Sequence, residues 1–275
     1  MGILFQFLRD MRHWEPSVRW SFVLALGLLI ALLAVIFIGG DRVPTWSWIG
    51  VVALVFVLQA IVLYGNRHLV TPYTQAQRAF RVGDFERARA VLEQHIADQA
   101  RAGKNVHADV YVLLGNTLRN LGQLDESEAV LRRVTQQQPD YGFALYGLGR
   151  TLLVKGEYSE AAKIIKKSIR FGAPKAVSFE LGYATLESGD VETGREILFE
   201  SLGHVNEPYR KLMAYYLLGD LPTLLIPTPK SLAPGLGYWE REAEVFAATP
   251  YGRRVAEHVR EIRAILDQLK LTGRL

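Results

Sequence analysis

The sequence predicts an all-α protein, in which a transmembrane helical hairpin is followed by an α-solenoid of paired helices with a C-terminal capping helix. Three observations support this prediction. Two apolar stretches, residues 20–38 and 46–64, lie close together near the N-terminus. Glycines recur at a fixed interval further along, since Gly115 and Gly149 are 34 residues apart. A seam of apolar residues at helical spacing lies close to the C-terminus.

The composition narrows the possible functions. The 275 residues carry a net charge of +4 that is spread along the chain, so no basic region indicates a nucleic-acid partner. The chain contains no cysteine, which excludes disulfides and thiolate metal sites. We therefore look for function in patterns of helix packing and in surfaces that bind other molecules.

The N-terminal part of the sequence predicts a membrane anchor. Residues 1–19 are either an amphipathic segment at a membrane surface or a frayed end that precedes the anchor. Residues 20–64 predict a two-helix transmembrane hairpin, because 19 residues at about 1.5 Å each reach roughly the thickness of the hydrocarbon core. Arg9, Arg12 and Arg19 flank the first stretch, whereas the turn contains only Arg42. Both termini are therefore predicted to be cytoplasmic. A two-span anchor followed by helical repeats also resembles the architecture of bacterial inner-membrane factors for assembly and quality control, which implies a bacterial inner membrane.

Helix pairs are predicted from residue 71 to residue 221. Two copies of one pattern occupy residues 108–170, and their turn glycines, Gly122 and Gly156, are again 34 residues apart. A repeat of this length indicates stacked helical hairpins. Weaker copies precede and follow these two, which gives about four repeats and a partial fifth.

This pattern resembles the tetratricopeptide repeat (TPR). The shared features are Leu114-Gly115 and Leu148-Gly149 in the first helix of a pair, the turn glycine, and a small residue in the second helix. The fourth unit departs from the family in having Gly194 where alanine is usual. The resemblance implies a scaffold that binds another protein in a groove lined by the first helices.

The resemblance also implies which side chains face that groove. These are Tyr73, Gln77, Asn116, Arg119, Tyr146, Arg150, Phe179 and Tyr183. Aromatic residues and arginine dominate binding energy at interfaces, and arginine can hold a carboxylate with two hydrogen bonds. We therefore expect an extended or helical peptide with an acidic group. The alternative is that Tyr146, Phe179 and Tyr183 contact the neighbouring first helix or lie under the proline-rich segment.

The end of the chain predicts two further parts. Prolines from Pro222 onward predict an extended arm or a linker over residues 222–237, because proline interrupts a helix. Residues 238–275 predict a helical cap with an apolar seam that either closes the solenoid or contacts a partner as a coiled coil. The seam consists of Val255, Val259, Ile262, Leu266 and Leu269.

No pattern in the sequence indicates catalysis. The six histidines are not at metal-ligand spacing, and no phosphate-binding loop is present. We therefore expect no enzyme activity, no cofactor, no metal and no small-molecule substrate. The expected function is a membrane-anchored adaptor that binds a partner polypeptide in the assembly or quality control of a membrane-associated complex. The alternative is an accessory subunit of a larger membrane complex, docked through its transmembrane helices.

Overall fold

The computed structural model describes residues 16–40, 44, 46–65, 71–219 and 229–271. It divides into two units, with the boundary between Thr74 and Gln75. Every regular element in the described ranges is a helix, which confirms the predicted all-α class. Most of the predicted amphipathic segment 1–19 lies outside these ranges, and residues 16–19 belong to the first helix.

The first unit contains two apolar helices, α1 (Pro16–Gly39) and α2 (Ser47–Gly65). They pack antiparallel, because Gly50 near the start of α2 lies beside Leu32 near the end of α1. Most of their apolar side chains are exposed; Trp20 and Phe37, for example, are 73% and 90% accessible. Apolar surface of this extent is suited to lipid rather than to water.

Only α1, among the helices in the described ranges, is long and apolar enough to cross a bilayer, with a mean hydropathy of 3.0. The apolar stretch described in α2, Ser47–Val62, falls short of that length. The structure thus supports one membrane-spanning helix, and the two-span hairpin stays a prediction.

The second unit is a stack of helix pairs, of which the first element begins at Pro72, just before the unit boundary. We call the first helix of each pair an A helix and the second a B helix. The A helices are α3 (Pro72–Arg81), α5 (Ala108–Asn120), α7 (Gly142–Lys155), α9 (Ser178–Glu187) and α11 (Pro208–Leu218). The B helices are α4 (Phe85–Arg101), α6 (Leu124–Gln137), α8 (Tyr158–Arg170) and α10 (Val191–Ser201). The last two helices, α12 (Pro229–Val245) and α13 (Pro250–Leu271), form what we call the C-terminal hairpin.

The repeated glycine of the A helices α5, α7 and α9 allows close contact with the B helix of the same pair. A Cβ atom at Gly115 would lie 2.5 Å from Leu131 Cγ, and one at Gly149 would lie 2.5 Å from Ile165 Cγ1. Such distances are far below van der Waals contact, so only glycine fits there. The turn glycine is required for a different reason: Gly156 has a φ of 84°, a left-handed conformation that other residues adopt at a cost. These two requirements explain the repeat that is visible in the sequence.

The small residue of each B helix packs against the A helix of its own pair. Ala88 and Ala161 are fully buried, and so is Ser127, whose hydroxyl donates to the Gly115 carbonyl at 2.7 Å. At Gly194, however, a Cβ atom would lie 2.6 Å from the Leu186 backbone nitrogen. The fourth pair is therefore packed more tightly than the others, and this accounts for the departure from alanine.

We expect Gly194→Ala to lower the free energy of unfolding by about 1–3 kcal/mol, because the added methyl group forces α9 and α10 apart. By helix propensity alone, replacing glycine with alanine would stabilise the helix by about 1 kcal/mol. The predicted loss of stability therefore has the opposite sign to the effect of helix propensity. Gly237→Ala in α12 is the matched control, since a Cβ atom there approaches nothing closer than Arg241 Nη1 at 3.8 Å. Chemical denaturation of both variants measures the difference, and a stabilised Gly194→Ala would contradict the packing described here.

The predicted extended arm over residues 222–237 is wrong from Pro229 onward, where α12 begins. Residues 222–228 lie outside the described residues. Helix α12 packs against α11. A Cβ atom at Gly235 would lie 2.8 Å from the Pro208 carbonyl oxygen, so the two helices touch closely at this glycine.

The C-terminal hairpin contributes to the core of the second unit. All five residues of the predicted apolar seam on α13 are buried, and α13 packs against α12 and α7. Gly156 in the turn after α7 touches Pro250, the first residue of α13. The hairpin therefore lies across the A helices.

Candidate partner-binding surface

The A helices α3, α5, α7, α9 and α11 form a surface that we call the A face. The predicted groove residues lie on four of these helices, two on each helix. Tyr73 and Gln77 are on α3, Asn116 and Arg119 on α5, Tyr146 and Arg150 on α7, and Phe179 and Tyr183 on α9. Tyr73 belongs to the first unit, so the A face of the second unit begins with Gln77.

The C-terminal hairpin covers the A face at α9 and α11. Trp239 is 3% accessible, its ring lies 6.1 Å from that of Phe179, and its indole N–H donates to the Tyr209 carbonyl at 2.7 Å. The Tyr251 ring lies 6.0 Å from the Tyr183 ring. Phe179 and Tyr183, each 1% accessible, are therefore core residues in this structure. The cover is the helical hairpin and not the predicted proline-rich segment 222–237, because Trp239 and Tyr251 lie beyond that segment.

Polar contacts fasten α13 to the same surface. Glu187 at the end of α9 accepts hydrogen bonds from Arg254 at 3.0 Å and pairs with His258 at 3.2 Å. Burial raises the pKa of Glu187, but the hydrogen bond from His258 and the charge of Arg254 outweigh it and hold that pKa below its usual range. Tyr216 of α11 donates to Glu261 at 2.5 Å. The hairpin is thus attached along its length.

A buried carboxylate joins three A helices beneath the hairpin. Glu180 of α9 is 2% accessible, and its Oε1 accepts hydrogen bonds from Arg210 Nη2 at 2.8 Å, Arg150 Nη1 at 3.3 Å and the Tyr146 hydroxyl at 3.2 Å. Arg150 also lies 3.7 Å from Glu242 of the hairpin. Arg150, predicted to hold a carboxylate of a partner, therefore holds two carboxylates of its own chain.

Arg119 differs from the other buried arginines because it pairs with no carboxylate among the described residues. It is 8% accessible, and its Nη1 donates to Asn116 Oδ1 at 2.7 Å and to the Gly147 carbonyl at 3.5 Å. Burial, together with the nearby charge of Arg150, lowers the pKa of Arg119 to about 10. A positive charge is thus held under the A face at α5, beside the half-buried amide of Asn116.

Sequence reasoning missed the residues that neutralise the A face. The role of Glu180 could have been predicted from the sequence, because it lies between Phe179 and Leu181 in an apolar A helix. A carboxylate buried in such a helix must be paired with a cation. No sequence pattern indicated the roles of Trp239, Glu242 and His258, since these roles depend on where the hairpin docks. Neither the spacing nor the composition of the hairpin predicts that position.

Comparisons with known proteins agree with the repeat architecture. Family models described as tetratricopeptide repeat match residues 79–142 and 112–176. The structure of TTC0263, a thermophilic TPR protein of Thermus thermophilus, is 15% identical and covers 68% of this chain and 97% of its own, with a TM-score of 0.50. No curated protein matches the sequence significantly.

Two further solved structures are similar over comparable lengths. MamA from Desulfovibrio magneticus RS-1 is 20% identical, covering 72% of this chain and 94% of its own with a TM-score of 0.41. The TPR-like repeats of a putative kinesin light chain from Podosopora anserina are 20% identical, covering 72% and 96% with a TM-score of 0.43. No catalytic family is indicated. Residues 79–176 therefore match tetratricopeptide repeats, and the helix pairs form a TPR-like solenoid.

Proposed function

We propose that this protein is a membrane-anchored scaffold whose A face binds a partner polypeptide. TPR domains bind proteins, and the exposed apolar surface of α1 supports a membrane anchor. In this proposal α1 and α2 both cross the membrane, the solenoid lies in the cytoplasm, and the partner belongs to a membrane-associated complex that is being assembled or monitored. The positive charges that flank residues 20–64 support this orientation.

The end of the A face near α5 is the best candidate for the binding site. Hydrogen bonds and ion pairs join the C-terminal hairpin to α7, α9 and α11. A partner on those helices would have to displace Trp239 and Tyr251, both of which are almost fully buried. Asn116 on α5 and Gln77 on α3, both predicted to face the groove, are half-buried.

The observation that carries the proposal is the buried charge of Arg119, which forms no ion pair with a described residue and is offset only at longer range by the Glu242 carboxylate. Holding a desolvated cation destabilises the folded chain unless something compensates. Functional sites are where such perturbed groups concentrate. An acidic side chain of the partner, placed against Asn116 and Arg119, would supply the missing charge. We therefore propose a partner peptide with at least one exposed Asp or Glu.

Asn116→Asp tests this proposal without enlarging any side chain. The new carboxylate would lie where Asn116 Oδ1 now accepts from Arg119 at 2.7 Å, so it neutralises that charge from within the chain. We expect unchanged or slightly higher stability and a loss of partner binding of about tenfold or more, as for a lost charge-assisted hydrogen bond. A photoreactive amino acid at Gln77 in the full-length protein, in intact membranes, measures binding as the yield of the cross-linked partner.

The matched control is Gln136→Glu, which makes the same change of charge on the exposed side of α6 and should leave the yield unchanged. If Asn116→Asp and the control give the same cross-linked protein in the same yield, the acidic-partner assignment is wrong. If no protein cross-links from Gln77 while partners still purify with the chain, docking through α1 and α2 explains the association instead.

A further inference from the structure

The outer surface of α8 carries four exposed cations on one side. Lys163, Lys166, Lys167 and Arg170 follow each other at intervals of three, one and three residues, which places them along one helix face. None of them forms an ion pair with another described residue, and Lys167 Nζ lies 5.8 Å from the centroid of the Phe171 ring. Cations near a helix C-terminus are favoured by the helix dipole, which explains one or two of them but not the whole stripe.

The next B helix, α10, carries the opposite charge at equivalent positions. With the offset of 33 residues that relates Gly149 to Gly182, Lys163 corresponds to Glu196 and Lys167 to Glu200. Both glutamates are exposed, as is Glu192 one turn earlier, and none of the three is in an ion pair with a described residue. The surface thus has a basic half and an acidic half.

The two halves lie on successive helix pairs, and each half carries an exposed aromatic ring. Helices α8 and α10 both pack against α9, and both contact the short 3-10 turn Lys175–Val177. Phe199 on α10, at the position equivalent to Lys166, is 66% accessible, and Phe171 at the end of α8 is 39% accessible. Exposed aromatic rings beside charged stripes are typical of an interface and are unusual on a surface that faces only water.

We propose that a second copy of this chain docks on the surface formed by α8 and α10. The two-fold axis lies in the plane of the interface, midway between α8 and α10 and parallel to them. It places α8 of one copy over α10 of the other. Lys163 and Lys167 then face Glu196 and Glu200 of the second copy at both symmetric contacts. The Lys166 side chain covers Phe199, as long cationic side chains do on aromatic rings. An interface of this kind is self-complementary, as two-fold symmetry requires.

The charge pattern favours a second copy over other occupants. An anionic bilayer or an acidic protein would attract α8 but would be repelled by the three carboxylates of α10. A two-fold axis running across the helices would put α8 on α8, and like charges would face each other. Only the arrangement that pairs α8 with α10 uses both halves of the surface. Screening by salt should weaken it, because all of these charges are exposed.

Charge reversal in the full-length protein tests the proposal. Two differently tagged copies are co-expressed, extracted in mild detergent at low salt, and recovered through one tag. We expect Lys163→Glu with Lys167→Glu, or Glu196→Lys with Glu200→Lys, to reduce recovery of the second tag at least about tenfold, since four favourable pairs become repulsive. Co-expressing the two charge-reversed variants should restore wild-type recovery, because opposite charges face each other again at both contacts.

The matched control is Arg87→Glu with Lys104→Glu, which makes the same change of charge on exposed residues remote from α8 and α10 and should leave recovery unchanged.

The absence of cysteine allows a second readout. A copy with Lys167→Cys mixed with a copy with Glu200→Cys should form a cross-linked dimer with a short thiol-reactive reagent, and either copy alone should not. Three results would overturn the proposal. The second tag is not recovered with the wild-type chain, or all variants are recovered equally, or the two charge-reversed variants fail to restore recovery when they are co-expressed.

Discussion

Glu180→Gln is expected to lower the free energy of unfolding of the second unit by about 3–5 kcal/mol, the usual cost of breaking a buried ion pair by removing one partner. Glutamine has nearly the same shape, so the loss comes from charge rather than from packing. Arg210 donates to Glu180 Oε1 through both Nε and Nη2, at 3.1 and 2.8 Å, and Arg150 donates to the same oxygen. Without the carboxylate, two guanidinium groups remain in a poorly solvated site.

The effect should be measurable by urea denaturation of the detergent-solubilised chain, followed by circular dichroism. Glu126→Gln, at an exposed position on α6, is the matched control and should change stability by no more than about 0.5 kcal/mol. The double variant Glu180→Leu with Arg210→Met should recover much of the lost stability, since apolar residues of similar volume often replace a buried ion pair without cost. If Glu180→Gln behaves like the control, Glu180 does not neutralise the A face.

Trp239→Ala is expected to have a similar cost, about 3–5 kcal/mol, but confined to the C-terminal hairpin. The indole fills the space between Phe179 and Tyr209, with ring centroids 6.1 and 5.9 Å away, and its N–H satisfies the Tyr209 carbonyl. Removing it leaves a cavity and takes away the additional hydrogen bond to the Tyr209 carbonyl. Docking of α12 and α13 on α9 and α11 should weaken as a result.

Hydrogen exchange can locate this change. Amide protection should fall in Pro229–Val245 and Pro250–Leu271, whereas Phe85–Arg101 at the other end of the solenoid should keep its protection. Phe143→Ala removes an aromatic ring that is 54% accessible, and this control should leave both regions protected. Unchanged protection of α12 and α13 in Trp239→Ala would show that the hairpin is held to the A face by other contacts.

Several features of the fold could be predicted because they depend on residues close together in the sequence. The spacing of Gly115 and Gly149 follows from the contact between an A helix and its own B helix, and the turn glycine follows from a left-handed backbone position. Apolar periodicity predicted that Val255 and Ile262 are buried. Each of these is a local requirement, so it leaves a regular pattern.

The candidate site was predicted less well. The helical positions of Asn116 and Arg150 followed from the repeat, but position alone does not reveal what a side chain contacts. Arg150 is neutralised by Glu180 and Glu242, which are 30 and 92 residues away in the chain. The extended arm was predicted from its prolines, and packing of Gly235 and Trp239 against α11 overrides that local preference from Pro229 onward.

The sequence by itself determined that the chain is helical, that its helices are paired at an interval of 34 residues, and that its N-terminal part is apolar enough for a membrane. Only the tertiary structure decided which part of the A face stays open to a partner, because that depends on where the C-terminal hairpin docks. Docking brings together side chains distant in sequence, such as Glu187 and Arg254, through shape and charge complementarity. Such a contact occurs once and leaves no periodic pattern in the sequence, whereas the contact between an A helix and its B helix recurs in every pair.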